Sequence, residues 1–525
     1  MIQASRIEEC NNEFQITNNE LSTPESTPPL ISTLWLKRAR MISVLIYILL
    51  QVAYFIFIII CIALYPRCEK APETSWWTNG VFLRFSNRTM KFNELTEKLI
   101  DYRTKFHIQA LWLSPVFPLS NELNPMEWRN VDSNFGNESD LTRLIDKAHE
   151  NDILIIVDYP LNHLSIQSNY FISNDDSYFV WNDQGNINNW KTINDNQQSA
   201  WTYNNRKNSF YLHQFNNDND SIDINYRNNR VFNDMIDSFS YWNKTFSIDG
   251  FNVQGISFTY EDYEYNNETN DNSSRLRHLD EDYLLLARIR AEIDEKKILL
   301  LDSIDSLATS NEQLLTRYYG DKNKYLGGVQ LASLNNYILV NETVTNLTAL
   351  FDEYNNSIFF KNQQPFLWSS LSSNSKLNEA FFAACLFHNG SISIDIDRQG
   401  DQLSNTQLNR LRQIIKLTQK DVFRVGSIRQ TILPQSKWLT IELKRRGQKH
   451  HMIIINFNEK DQNDTVNLEQ GKTNAVEVVL TNKGKPGKKY ETNTLIEMDK
   501  PIHLKLYEYL IIRWSPSIEG LGIIF

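Results

Sequence analysis

Residues 152–163 read DILIIVDYPLNH. Ile153 to Val157 is an unbroken run of five apolar residues, closed by Asp158 and Pro160. A short run with no polar face is the pattern of a strand buried on both sides, as in a parallel sheet. Upstream, strand-like Gly80–Phe85 (GVFLRF) and Ile108–Pro115 (IQALWLSP) alternate with the amphipathic stretches Phe92–Lys105 and Glu138–Asn151. Residues 164–230, rich in Asn, Asp, Ser and aromatics, break that rhythm and read as an inserted subdomain. It resumes with Ser247–Val253, Lys297–Asp302, Tyr325–Ala332, Pro365–Trp368 and Ser391–Asp395, which makes eight strands. Eight strands alternating with helices is the arithmetic of a (β/α)8 barrel, here predicted over 76–424. From 425 to 525 the pattern shortens to KWLTIEL, HMIIINFN, AVEVVL and HLKLYEYLIIRW, an antiparallel β-domain.

Met41–Leu64 (MISVLIYILLQVAYFIFIIICIAL) contains no charged residue. At about 1.5 Å per residue it reaches across a ~30 Å hydrocarbon core, so a transmembrane helix is expected at 41–64. A cleaved signal peptide fits less well, because the run is long and lacks a small-residue cleavage site after it. Residues 1–40, polar and carrying Pro24, Pro28 and Pro29, are then read as a disordered cytosolic tail, and 65–75 as a juxtamembrane neck. Lys37, Arg38 and Arg40 precede the run while Arg67 and Lys70 follow it, which favours a cytosolic N-terminus. Eleven N-x-S/T sequons all follow the span: Asn87, Asn137, Asn219, Asn243, Asn267, Asn272, Asn341, Asn346, Asn355, Asn389 and Asn463. In an Asn-rich chain several arise by chance, but the pattern supports a single-pass type II protein. Gln51, mid-span, either bonds to a neighbouring helix or is tolerated facing lipid.

The chain has 525 residues and a formal net charge of −10, from 53 Lys+Arg against 63 Asp+Glu. That surplus of acid disfavours nucleic acid, which needs a clustered basic face. Four Cys exclude a disulfide-stapled scaffold. Cys10 falls in the tail, Cys61 in the span, and Cys385 in AFFAACLF, an expected buried helix. Cys68, just beyond the span, is left to an intermolecular bridge, to a homodimer bridge, or to life as a free or capped thiol. His450-His451 has no metal-spaced companion and reads as surface. Trp76-Trp77 either sits at a membrane interface or begins the barrel's packing.

Asp158, Asn162 and His163 match the D-x-x-x-N-H signature of the α-amylase/α-glucosidase clan. The chain resembles that clan over about 76–525, including Asp132, Phe135, Gly136, Asp140 and His149 before the motif and Ser199–Asn228 after it. The resemblance implies two working carboxylates, about 5–5.5 Å apart in a retaining enzyme. In the clan's D-G-F-R-x-D segment this chain has Asp249-Gly-Phe-Asn252-Val-Gln254, so Gln254 stands at the nucleophile position and Asn252 replaces the Arg. Asp302 ends the fifth strand where a Glu general acid is expected, and the seventh-strand N-H-D is missing from PFLWSSLSSN. An amide forms no glycosyl ester, so the expectation is a degenerate domain without catalysis. Asn162 and Asp223 are either remnants of a calcium site or scaffold residues; Asp158 and His163 are read as retained scaffold.

A degenerate barrel of this clan on a type II anchor with a juxtamembrane Cys resembles the heavy chains of heteromeric amino-acid transporters, of the CD98/rBAT type. That resemblance implies an ancillary plasma-membrane glycoprotein, disulfide-linked through Cys68 to a polytopic light subunit that carries the transport path. The span, through Gln51, would add partner contact. The competing readings are a membrane-anchored α-glucosidase and an adhesion or receptor ectodomain.

Overall fold

The computed structural model describes residues 30–64, 75–301, 312–320, 328–333, 366–369, 375–396, 403–458, 462–465, 475–483 and 490–515, with short interruptions. Cys68 and Asp302 lie outside the described residues, as do sequons Asn87, Asn219, Asn272, Asn341, Asn346, Asn355 and Asn389; Asn463 lies in a short strand whose side chains are likewise outside them. The chain divides into two units, residues 1–70 and 71–525, described separately.

Among its described residues the first unit contains one helix, Leu30–Leu64. It begins earlier than the expected 41–64. Pro28 and Pro29 suit the entrance of a helix, and the Leu, Lys, Arg and Ala that follow offer no breaker, so the span propagates backwards into the tail. Within it Leu34–Cys61, with mean hydropathy 2.8, is long and apolar enough to cross a membrane.

The second unit is built on a closed barrel of eight parallel strands. In chain order they are Val81–Phe85, Ala110–Leu113, Leu154–Pro160, Gly250–Gln254, Ile298–Leu301, Leu331–Ser333, Phe366–Ser369 and Ser391–Asp395. The sixth strand falls at the end of the predicted Tyr325–Ala332, of which 325–327 lie outside the described residues. Leu154–Pro160 pairs with Ala110–Leu113 on one side and Gly250–Gln254 on the other, with Asp158 opposite Asn252 and Pro160 opposite Gln254. Gly250 is required at the crowded floor, because a Cβ there would lie 2.2 Å from Ile298 Cγ2. Beneath it Trp76 and Trp77 meet edge-on and pack on the cluster of Phe82, Trp112, Ile156 and Ile298. They therefore belong to the barrel's packing.

The residues that carry the clan resemblance upstream of Asp158 turn out to be structural. Asn137 and Asp140 form a reciprocal capping box on helix Glu138–Glu150, whose Leu141, Leu144, Ile145 and Ala148 face the core. Asp132 is ion-paired with Arg88. His149 Nε2 lies 2.7 Å from Asp249 Oδ2, which also accepts the Ile155 backbone N–H at 2.9 Å.

Between the third and fourth barrel strands, His163–Ser165 pairs with Ser221–Asp223, and Trp181–Asn182, Trp201–Asn204 and Ser209–Leu212 form a three-stranded sheet. The C-terminal sheet has six antiparallel strands, in spatial order Ser427–Ile432, Leu439–Lys444, His450–Ile455, Tyr509–Trp514, Ala475–Thr481 and Leu495–Glu497. It is tied to the barrel by a tyrosine hydroxyl that bonds to a buried carboxylate. Glu379, on helix Ser375–Phe387, receives Arg410 Nε and Nη2 at 2.6 and 2.8 Å and the Tyr509 hydroxyl at 2.9 Å. Cys385 is fully buried in the same helix, as expected.

His451 corrects the surface reading of the His pair: it is 2% exposed and its ring lies 5.1 Å from Phe423. His388, just after helix Ser375–Phe387, is buried near Gln430 of the C-terminal sheet. Burial pushes both imidazoles down to about 4 from 6.5. A pKa depressed on folding means the unfolded chain binds the extra proton. Their contribution is thus complete above pH ~6.5 and lost as pH falls toward 4, up to about 3 kcal/mol for each. The urea midpoint is expected to drop over that window, and His388→Gln to flatten the drop; an unchanged pH profile in the variant would contradict this.

Candidate active site

The C-terminal ends of barrel strands are where this architecture places chemistry. Asp158, near the end of the third strand, is 3% exposed. Its Oδ1 accepts Trp112 Nε1 at 2.7 Å and Asn252 Nδ2 at 2.6 Å, and its Oδ2 accepts Arg84 Nη2 at 3.4 Å. Arg84 also lies over the Trp112 ring, 4.2 Å from its centroid. First, second, third and fourth strands therefore each contribute one group to a single charge-satisfying cage. A carboxylate taken out of water needs such partners, since an unpaired buried charge costs several kcal/mol.

Gln254 ends the fourth strand, half-buried, and its carbonyl accepts the Leu161 N–H at 3.0 Å. Gly255 follows at φ +73°, and a Cβ there would come within 3.1 Å of Asn162 Cβ. This left-handed glycine lets the chain turn tightly beneath the D-x-x-x-N-H loop. Asn162 donates to the Phe258 carbonyl, and the His163 ring packs 5.5 Å from Phe215. Of the sequence-derived site residues, the fold thus brings Asp158 and Asn252 into contact and sets Gln254, Asn162 and His163 beside them.

Three groups at the mouth escaped the sequence reading. Arg84 and Trp112 complete the Asp158 cage, and Asp395 ends the eighth strand, opposite Arg84 in register. The signal was present: Arg84 is the one charge in GVFLRF, and Asp395 closes SISID.

Asp223 faces His163 in the inserted strand pair. Burial raises its carboxyl to about 7, although hydrogen bonds from Gln214 and Asn162 pull it down. Burial likewise lifts Glu261 to about 7 against the opposing pull of Arg227. A calcium ion takes oxygen ligands, and the side-chain oxygens here are few. Beside Asp223, Asn162 Oδ1 and Gln214 Oε1 are buried without a hydrogen-bond partner. Among the described residues no group of three His, Cys, Asp or Glu is gathered for a metal.

Three sequons are described with their side chains. Asn137 is exposed and caps a helix, and exposed Asn267 accepts the Asn189 N–H at 3.0 Å. Asn243 has both amide atoms engaged, with the Glu292 carbonyl at 3.1 Å and Lys297 Nζ at 2.7 Å.

Residues 89–441 match the family model "Alpha amylase, catalytic domain". Among curated relatives, the chain is 28% identical over 221 residues to Maltase A1 of Drosophila melanogaster, covering 36% of each chain. It is 31% identical over 187 residues to an alpha-glucosidase of Culex pipiens, 33% of this chain and 31% of that one. It is 27% identical over 221 residues to trehalose-6-phosphate hydrolase of Bacillus subtilis, 38% of each. The matched stretches thus span about a third of the relatives' lengths. Trehalose-6-phosphate hydrolase of Bacillus licheniformis superposes with a TM-score of 0.68 over 84% of this chain and all of that one, at 12% identity, which establishes the fold. These names overturn the expectation of a non-catalytic transporter subunit, and with it the expectation that the domain is no enzyme. Relatives of the barrel are glycoside hydrolases, so degeneracy at Gln254, Asn252 and Asp302 did not by itself license leaving that class.

The cage makes a stability prediction. Asn252→Leu removes a donor from a buried carboxylate and is expected to cost about 2–4 kcal/mol. Asp158→Leu combined with Asn252→Leu should cost less than the sum of the two single changes, by chemical denaturation. Strict additivity would mean that the pair is not coupled.

Proposed function

The chain belongs to the alpha-amylase catalytic-domain family, and we propose that its ectodomain is an α-glucoside-acting enzyme held on a membrane by Leu34–Cys61. The observation that carries the proposal is the Asp158 cage. The mouth retains a buried anion held by an indole, an amide and a guanidinium, at the motif position that the clan's hydrolases share. A preorganised negative charge beside a sugar ring stabilises the oxocarbenium-like transition state of glycoside cleavage. Asp158 has that role in this reading, while Trp112 and Asn252 hold it in place and Arg84 balances its charge.

Gln254 shapes the chemistry. Its amide forms no glycosyl ester, so in this reading water attacks the anomeric carbon directly as the glycosidic bond breaks. The attacking water gives up one proton as the leaving oxygen takes one up, and in this reading carboxyls at the strand ends, Asp395 at the close of the eighth strand among them, relay that exchange. Losing the covalent route slows turnover by orders of magnitude relative to a complete site. The span's basic flank and the sequons beyond it support an ectodomain on the non-cytosolic side.

Full-length protein purified from membranes is expected to release glucose slowly from maltose and nitrophenol from nitrophenyl α-glucoside. Asp158→Asn should lower kcat at least about a hundredfold. Absence of turnover above an Asp158→Asn control on every α-glucoside tried would overturn the proposal.

A further inference from the structure

The Leu30–Leu64 helix carries a pattern that an anchor alone does not need. Between Met41 and Leu64 the residues with a polar or thiol group are Ser43, Tyr47, Gln51, Tyr54 and Cys61. Successive residues of an α-helix are offset by about 100°, which places all five within an arc of roughly 80°. Only Ile58 shares that arc; every other side chain of the stretch is aliphatic, Phe or Met. Tyr47 and Tyr54 are 62% and 59% exposed, and Gln51 and Cys61 are exposed as well. Ser43 satisfies its hydroxyl at the Ala39 carbonyl, 2.7 Å away.

We propose that this face is the contact of a parallel homodimer, in which the helix meets the same face of a second copy of this chain. An amide facing hydrocarbon is costly, and polar side chains there are commonly satisfied across a helix interface. The stripe matches itself. Identical chains insert in the same orientation, so a two-fold axis along the helices brings each residue to its own copy at equal depth. Gln51 carries both donor and acceptor and pairs with Gln51 reciprocally. The tyrosines stack their rings and exchange hydroxyl bonds. Tyr47, Tyr54 and Cys61 repeat at intervals of seven, the spacing that keeps a seam in contact when two helices cross at about 20°. This inference rests on the span reading, and hydrolysis is independent of it.

The test uses the full chain in membranes with Cys10→Ser and Cys68→Ser, so that Cys61 is the thiol of the span. Mild copper-phenanthroline oxidation is expected to give a band of twice the chain mass, containing both of two differently tagged copies. With Cys61→Ser, the band should return when Tyr47→Cys or Tyr54→Cys is added, and should stay absent for Leu49→Cys or Ile56→Cys on the opposite face. Gln51→Leu should reduce co-purification of the two tags about three- to tenfold. Equal cross-linking from both faces, no dimer, or a band containing a different protein would overturn the proposal. Glucoside turnover measured on the same preparations keeps that outcome separate from the enzyme reading.

Discussion

The barrel mouth depends on keeping one negative charge, Asp158, inside a low-dielectric wall. Trp112, Asn252 and Arg84 come from three different strands, and their bonds to one carboxyl group act as cross-struts between neighbours in the sheet. A carboxylate so placed is stable only while its donors stay, and the donors are ordered only while the carboxylate stays. On the fourth strand one of those donors is Asn252, at the position where the clan's motif has an Arg. A neutral amide donates its bond without adding charge.

Stability elsewhere follows a related logic. The bidentate Glu379–Arg410 pair with Tyr509, and the neutral imidazoles His388 and His451, concentrate polar groups at the junction of barrel and C-terminal sheet. Burying polar groups there gives little net energy but narrows the ways the two layers can meet, because a misaligned sheet would strand charge.

Much of this was legible in the sequence. Both-face burial made the runs at Val81–Phe85, Leu154–Pro160 and Ser391–Asp395 readable as barrel strands, because period and length agree. Asp158 and Asn162 were readable from a motif. Arg84 and Trp112 were not singled out, since a lone charge or indole in a strand gains meaning only once the register shows what it faces. The tail helix from Leu30 was missed because hydropathy marks a membrane boundary, whereas helix propagation stops at a proline. His451 was misread because the sheet that buries it is completed by Tyr509–Trp514, some 60 residues later in the sequence. The functional error had a different origin. Gln254 was weighed as the end of catalysis, while the family that owns the surrounding barrel is one of hydrolases.

That reading turns on whether the mouth recognises a glucosyl cation, whatever the speed of turnover. Calorimetric titration of the purified full-length protein with 1-deoxynojirimycin, a cationic glucose mimic, addresses it directly. The account predicts one saturable site per chain that disappears in Asp158→Asn while the variant remains folded. No heat of binding to the wild-type protein, or equal binding by the variant, would contradict it.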